Sequence, residues 1–145
     1  MRATRFIIAV LTLVALLAVS VATVSAGGRP FVVPMTGAEE APVPGDPDGS
    51  GTAWFWVNPG RGEVCYVLEV EDIEPAAAAH SHIGPAGAPG PVVIPLAAPT
   101  SGTSSGCAEA DRSLLIDILK NPSAYYVNVH NAPFPGGAVR GQLSR

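Results

Sequence analysis

Charge, sulfur and aromatic side chains are all sparse in this 145-residue chain: 14% of residues are charged, 6% are aromatic, and two are cysteines. Acidic residues outnumber lysine plus arginine 12 to 8, and no basic cluster occurs. Nucleic acid is therefore excluded as a partner, because phosphate neutralisation by clustered cations supplies most of that affinity. Docking on an anionic membrane surface fails for the same reason. A thiolate metal site would need more cysteines or a close Cys-x-x-Cys pair, and neither is present. The sequence also lacks a Gly-x-Ser-x-Gly elbow, a phosphate-cradling glycine loop and a His-Glu-x-x-His helix. No spacing singles out a catalytic carboxylate pair either. These gaps make a non-enzymatic protein the better expectation.

One long hydrophobic run is present, at the amino terminus. Arg2 and Arg5 precede an almost unbroken apolar stretch from Phe6 to Val21, and Val24-Ser25-Ala26 supplies a small-x-small cleavage signal. This pattern is that of a signal peptide over residues 1–26, with Gly27 as the first mature residue. An uncleaved anchor is the competing reading, but the run falls short of the roughly 20 apolar residues of a full span. No cysteine lies near the cleavage site, so lipoprotein acylation has no thiol to use. The sequence thus predicts a secreted or cell-envelope protein with no stable membrane insertion after cleavage. Its mature part, residues 27–145, is one domain's worth of chain. Loss of Arg2 and Arg5 leaves 6 basic against 12 acidic residues, a net charge of about −6. In that compartment an even, minimal cysteine count predicts a disulfide between Cys65 and Cys107. Closing their separation stabilises the fold by roughly 4 kcal/mol in the chain-entropy picture.

The mature sequence consists of short strand-like runs divided by glycine and proline. Phe31-Val32-Val33 opens the first. Gly37 to Gly51 is a polar, acidic loop with Asp46-Pro47-Asp48-Gly49 as its turn. Thr52 to Val57 alternates Ala53, Phe55 and Val57 against Trp54 and Trp56. After the turn Asn58 to Gly62, Glu63 to Val70 returns with Val64, Tyr66, Leu68 and Val70 on one face. The pair predicts a β-hairpin. Cys65 and Val67 share the opposite, glutamate-bearing face, so the disulfide is expected to pin the Ser/Gly-rich connection Thr100 to Ala110 across the outside of that strand. Leu114, Leu115, Ile118 and Leu119 share a helical face, with Asp111 as candidate N-cap and Asn121-Pro122 as the stop. Gly84 to Pro91 keeps a Gly-X-Y period for barely three triplets, too few for a collagen helix, and is expected to be a rigid loop. Together these signals predict a mainly β fold: an antiparallel β-sandwich or partly closed barrel of about seven strands, with one short helix.

Chemistry concentrates on the three histidines. On a strand, His80 and His82 project from one face. His130 lies in a second strand-like run, on the side of Tyr126 and Asn128. Three imidazoles meeting there would form a nitrogen site suited to zinc or copper. The plainer alternative is that each ring is hydrogen-bonded structurally, with Asn128 and Ser81 as available partners. The acidic loop carrying Glu39, Glu40, Asp46 and Asp48 invites a calcium reading, but it lacks the spaced ligands and terminal glutamate of an EF-hand, which favours a solvated turn. Arg140, between Val139 and Gly141 in a late strand, fits either a paired cation or an anion-binding residue.

Several segments taken together resemble the CHRD domain, the extracellular module named after chordin and common in secreted bacterial proteins. They are Thr36 to Glu40, Gly49 to Ala53, Ala79-His80-Ser81-His82, Tyr126 to His130, and Arg140-Gly141-Gln142-Leu143. The similarity runs from Phe31 to Leu143, with Ser81 where an aliphatic residue is more usual. Asn128, Arg140, Gly141 and Gln142 belong to its closing signature. The resemblance implies an exported β-domain with no established catalytic residues, acting as a binding or cell-envelope module toward an extracellular or envelope partner. A metal-binding protein, possibly redox-active, that uses His80, His82 and His130 is the alternative. Growth-factor antagonism does not carry over, since the cysteine-rich modules that accompany the domain in chordin-like proteins are missing.

Overall fold

A computed structural model describes residues 29–145; the leader expected over residues 1–26 lies outside them. Eight strands form one continuous sheet: β1 (Arg29–Thr36), β2 (Ser50–Asn58), β3 (Glu63–Glu71), β4 (Ala78–Ile83), β5 (Val92–Leu96), β6 (Thr103–Glu109), β7 (Tyr125–His130) and β8 (Val139–Gln142). Their order across the sheet is β5-β4-β7-β8-β1-β2-β3-β6, and the ladders are antiparallel. The sheet curls until its edges nearly meet. The chain leaving β5 is stitched to the far edge, where Ala97 donates its N–H to the Tyr66 hydroxyl at 2.8 Å and accepts from Ser104 Oγ at 2.7 Å. The mainly β, antiparallel expectation holds, in the nearly barrel-shaped form.

The β2–β3 hairpin follows the predicted alternation. Phe55 faces Tyr66 and Val57 faces Val64 across the ladder. Ala53, Phe55, Val57, Val64, Tyr66, Leu68 and Val70 are all buried, while Trp54 and Trp56 remain half-buried on the outer face. β1 adds Phe31, Val33 and Met35 to the same interior. At the hairpin turn, Arg61 N–H reaches both the carbonyl and the side-chain oxygen of Asn58, at 3.2 and 3.1 Å.

The eighth strand is the one the sequence concealed. Thr103–Glu109 pairs along the whole of β3, with Cys107 directly opposite Cys65. The predicted disulfide forms, with an S–S distance of 2.04 Å. It lies on the outer face as expected, yet it links two neighbouring strands rather than strapping a loop over one. The β3 ladder and this bond impose an extended form on a Thr-Ser-Ser-Gly-Cys run that has weak strand preference of its own.

The single α-helix, α1 (Arg112–Lys120), sets Leu115 and Ile118 into the core, with Leu114 and Leu119 partly buried beside them. Asp111 occupies the N-cap position, but its carboxylate makes no capping bond. Asn121 and Pro122 end the helix as predicted, and Pro122–Ala124 forms a 3-10 turn into β7. No helix among the described residues is long and apolar enough to cross a membrane.

Candidate metal centre

The alternation that builds the core also builds the site. Along β4, Ala79 and Ser81 point inward and are buried, which sends His80 and His82 to the outer face. Along β7, Val127 and Val129 fill the interior, so Tyr126, Asn128 and His130 share that outer face. The two strands are adjacent, with Ala78 opposite His130, His80 opposite Asn128 and His82 opposite Tyr126. His130 and His80 are therefore diagonal neighbours, a spacing that long side chains span.

This register brings all three histidines together. One nitrogen from each lies within 4.8 Å of the others. His80 Nδ1 and His130 Nε2 are 3.1 Å apart. Two rings are held by backbone carbonyls: His82 Nδ1–H donates to Gly90 O at 2.8 Å, and His130 Nδ1–H donates to Pro135 O at 3.1 Å. With those protons on Nδ1, each Nε2 carries a free lone pair. His82 Nε2 is buried and has no hydrogen-bond partner. A hydrogen bond from the far ring nitrogen to a carbonyl is the usual way a metal-ligating histidine has its tautomer and orientation fixed.

Burial disfavours the charged form of His80 and His130. Burial holds His80 below the ordinary histidine range, and the nearby His130 and His82 rings push it the same way. Burial also lowers His130; His82 adds to that effect, while the bond to the Pro135 carbonyl opposes it. Neutral imidazole is the form that ligates a metal.

Neither suggested hydrogen-bond partner serves the histidines. Ser81 faces the interior, where its hydroxyl donates to Tyr126 O at 3.3 Å, so a small polar residue packs there at little cost. Asn128 donates through Nδ2 to Glu40 Oε2 at 3.2 Å. The solvated reading of the acidic loop is corrected at Glu40, which is 6% exposed, accepts the Ala41 N–H at 3.0 Å and lies 3.9 Å from Arg140. Asp46 and Asp48 do form a turn, with Asp48 N–H on Asp46 Oδ1.

Arg140 is a buried structural cation, 1% exposed. It donates to Ala88 O and Pro85 O at 2.9 and 2.8 Å and to Gln142 Oε1 at 3.1 Å. Gln142 Nε2 holds the start of the same loop through Gly84 O at 2.8 Å. The signature residues of β8 thus suspend the 84–91 loop, which supplies the Gly90 carbonyl to His82. Gly141 lets β8 approach β1, since a Cβ there would lie 2.2 Å from Pro34 O. Tyr126 completes the support: its ring stacks on His82 at 4.6 Å, within 5° of parallel, and the Arg140 guanidinium covers its other face at 3.5 Å. Sequence reasoning placed Glu40 in a solvated turn and missed the roles of Gly90 and Pro135. The latter two act through carbonyls, which carry no residue signature.

Residues 31–143 match the family model for the CHRD domain. No curated protein and no solved structure is similar enough to the chain to match.

Proposed function

The chain belongs to the CHRD family, and from that premise and the histidine geometry we propose that it is an exported binding module whose His80, His82 and His130 hold one zinc or copper ion. The observation that carries this reading is a group of three imidazoles offering nitrogens no more than 4.8 Å apart, in which the His82 Nε2 is buried and unpartnered. Metal–nitrogen bonds of about 2.0–2.1 Å at tetrahedral angles require nitrogens roughly 3.3 Å apart. His80 and His130 already stand at 3.1 Å. A neutral three-imidazole set suits zinc and copper, and three ligands leave a fourth position open. Export is supported by the disulfide, which persists in oxidising compartments, and by the leader-like pattern of residues 1–26.

Elemental analysis of the purified protein is the test. One equivalent of zinc or copper is expected, lost on His82→Ala. A protein of full stability that retains no ion after loading with zinc or with copper would overturn the proposal. The second reading, a metal-free binding module, is favoured by the same 3.1 Å contact, which also serves as a plain hydrogen bond from His80 Nδ1–H to the His130 lone pair. Nitrogen-15 NMR separates the two. An ion moves the His80 proton from Nδ1 to Nε2, whereas the metal-free module keeps it on Nδ1.

A further inference from the structure

A cleft of about 470 Å³ opens beside His82, between the β1–β2, β4–β5 and β7–β8 loops. Its walls are apolar, with Pro42, Pro44, Phe134 and Pro135 among them, and His82 and Asn128 reach it from the sheet. Two buried side-chain atoms among the described residues lack any hydrogen-bond partner, His82 Nε2 and Asn128 Oδ1. Both belong to residues lining this one cleft. Both are acceptors. A buried acceptor without a donor is costly, so the pair marks a place prepared for an occupant that brings positive charge and a proton.

The orientation of Asn128 is fixed by chemistry. A Glu40 carboxylate accepts, so Asn128 turns Nδ2 toward it at 3.2 Å and keeps Oδ1 as a buried acceptor without a donor. Glu40 is itself held by the Ala41 N–H, and Gly137 makes room for it, since a Cβ there would lie 1.9 Å from Glu40 Oε2. Asn128 also sits directly opposite His80 across the β4–β7 ladder, on the outer face that carries the three histidines.

We propose that Asn128 Oδ1 is the acceptor for a small protic ligand, water or an amine, occupying the open position of the ion held by the three histidines and entering through this cleft. The inference rests on the metal reading above. It goes further in assigning the ligand class: molecules that carry an N–H or O–H on the coordinating atom are favoured over those that do not. Asn128 is a positioning residue here and holds no metal itself.

The experiment loads the full-length protein with copper(II), confirms one ion by elemental analysis, and titrates ammonia (counted as free base) and azide by visible absorption. Ammonia offers protons to Asn128, while azide offers none on its bound nitrogen and displaces a water that does. In Asn128→Leu the ratio of ammonia to azide affinity is expected to fall about three- to tenfold, the worth of one hydrogen bond, with the ion retained. Glu40→Gln gives a second readout with little change of shape. A glutamine amide can donate to Asn128 Oδ1, turning Nδ2 to the cleft, so the same ratio should fall there too. An unchanged ratio in a folded, copper-loaded Glu40→Gln protein overturns this inference alone. Failure of the wild-type protein to retain copper overturns it together with the metal reading.

Discussion

The two halves of the curled sheet obey one rule and reach different ends. In β2 and β3 the inner face is apolar, and the outer face of these strands and β6 carries half-buried tryptophans and a disulfide between neighbouring strands. In β4, β7 and β8 the inner face is apolar apart from Ser81, yet the outer face carries three histidines, Tyr126, Asn128 and a buried Arg140. The difference lies in what covers the outer face. The first half is stapled covalently and left largely to solvent. The second is roofed by three loops whose backbone carbonyls and carboxylate complete its polar groups. Alternation thus specifies where side chains point, and the loops decide whether an outward row becomes a surface or a site.

The seam between the halves should be the most fragile point. β8 joins β7 to β1, so deleting residues from Val139 onward is expected to abolish cooperative unfolding in a thermal melt. Unchanged melting would mean that each half stands without the other. Next in size, a Cys65→Ala/Cys107→Ala protein should lose about 3–4 kcal/mol of stability in urea denaturation. The histidine NMR shifts should stay in place, because the staple lies on the other half. Perturbed histidine shifts would show that the halves are coupled more tightly than the topology implies.

Arg140→Met tests the roofed half from within. It removes the donors that hold Pro85, Ala88 and Gln142, and about 2–3 kcal/mol of destabilisation is expected from the orphaned acceptors. Histidine ring signals should also broaden as the 84–91 loop is released. A stability loss without any change in those signals would detach the loop from the site.

The smallest effect is in pH. His80 and His130 have folded-state pKa values lowered from 6.5, so below that value the unfolded chain takes up protons that the folded chain refuses. Stability is therefore fully present above pH 6.5 and declines as pH falls through the folded-state values. The melting temperature should be modestly lower at pH 5.5 than at pH 7.5, and His80→Gln/His130→Gln should flatten that slope. Equal slopes in the two proteins would place the pH sensitivity outside the histidines.

How much of this was legible in the sequence follows the same division. The β2–β3 hairpin was readable because Ala53 to Val57 and Val64 to Val70 alternate cleanly. Thr103–Glu109 was not, because its residues are polar and its extended form comes from β3. Parity placed His80 with His82 on one face and His130 beside Asn128. Their meeting depends on the β4–β7 register, which joins residues 50 apart and leaves no local trace. Glu40 misled because neighbouring glutamates usually mean solvent, and its burial is imposed by Asn128 and Arg140 from distant strands. Arg140 stayed ambiguous because its partners are mainly carbonyls.

The suspension of the 84–91 loop from β8 sets an order of events. His80 and His82 leave the ribosome long before Arg140 and Gln142, yet the loop whose carbonyl orients His82 lacks part of its support until those two arrive. A nascent chain therefore carries the imidazoles in sequence before their support is complete. On the proposed metal reading, capture of the ion would come late in maturation, after β8 has docked.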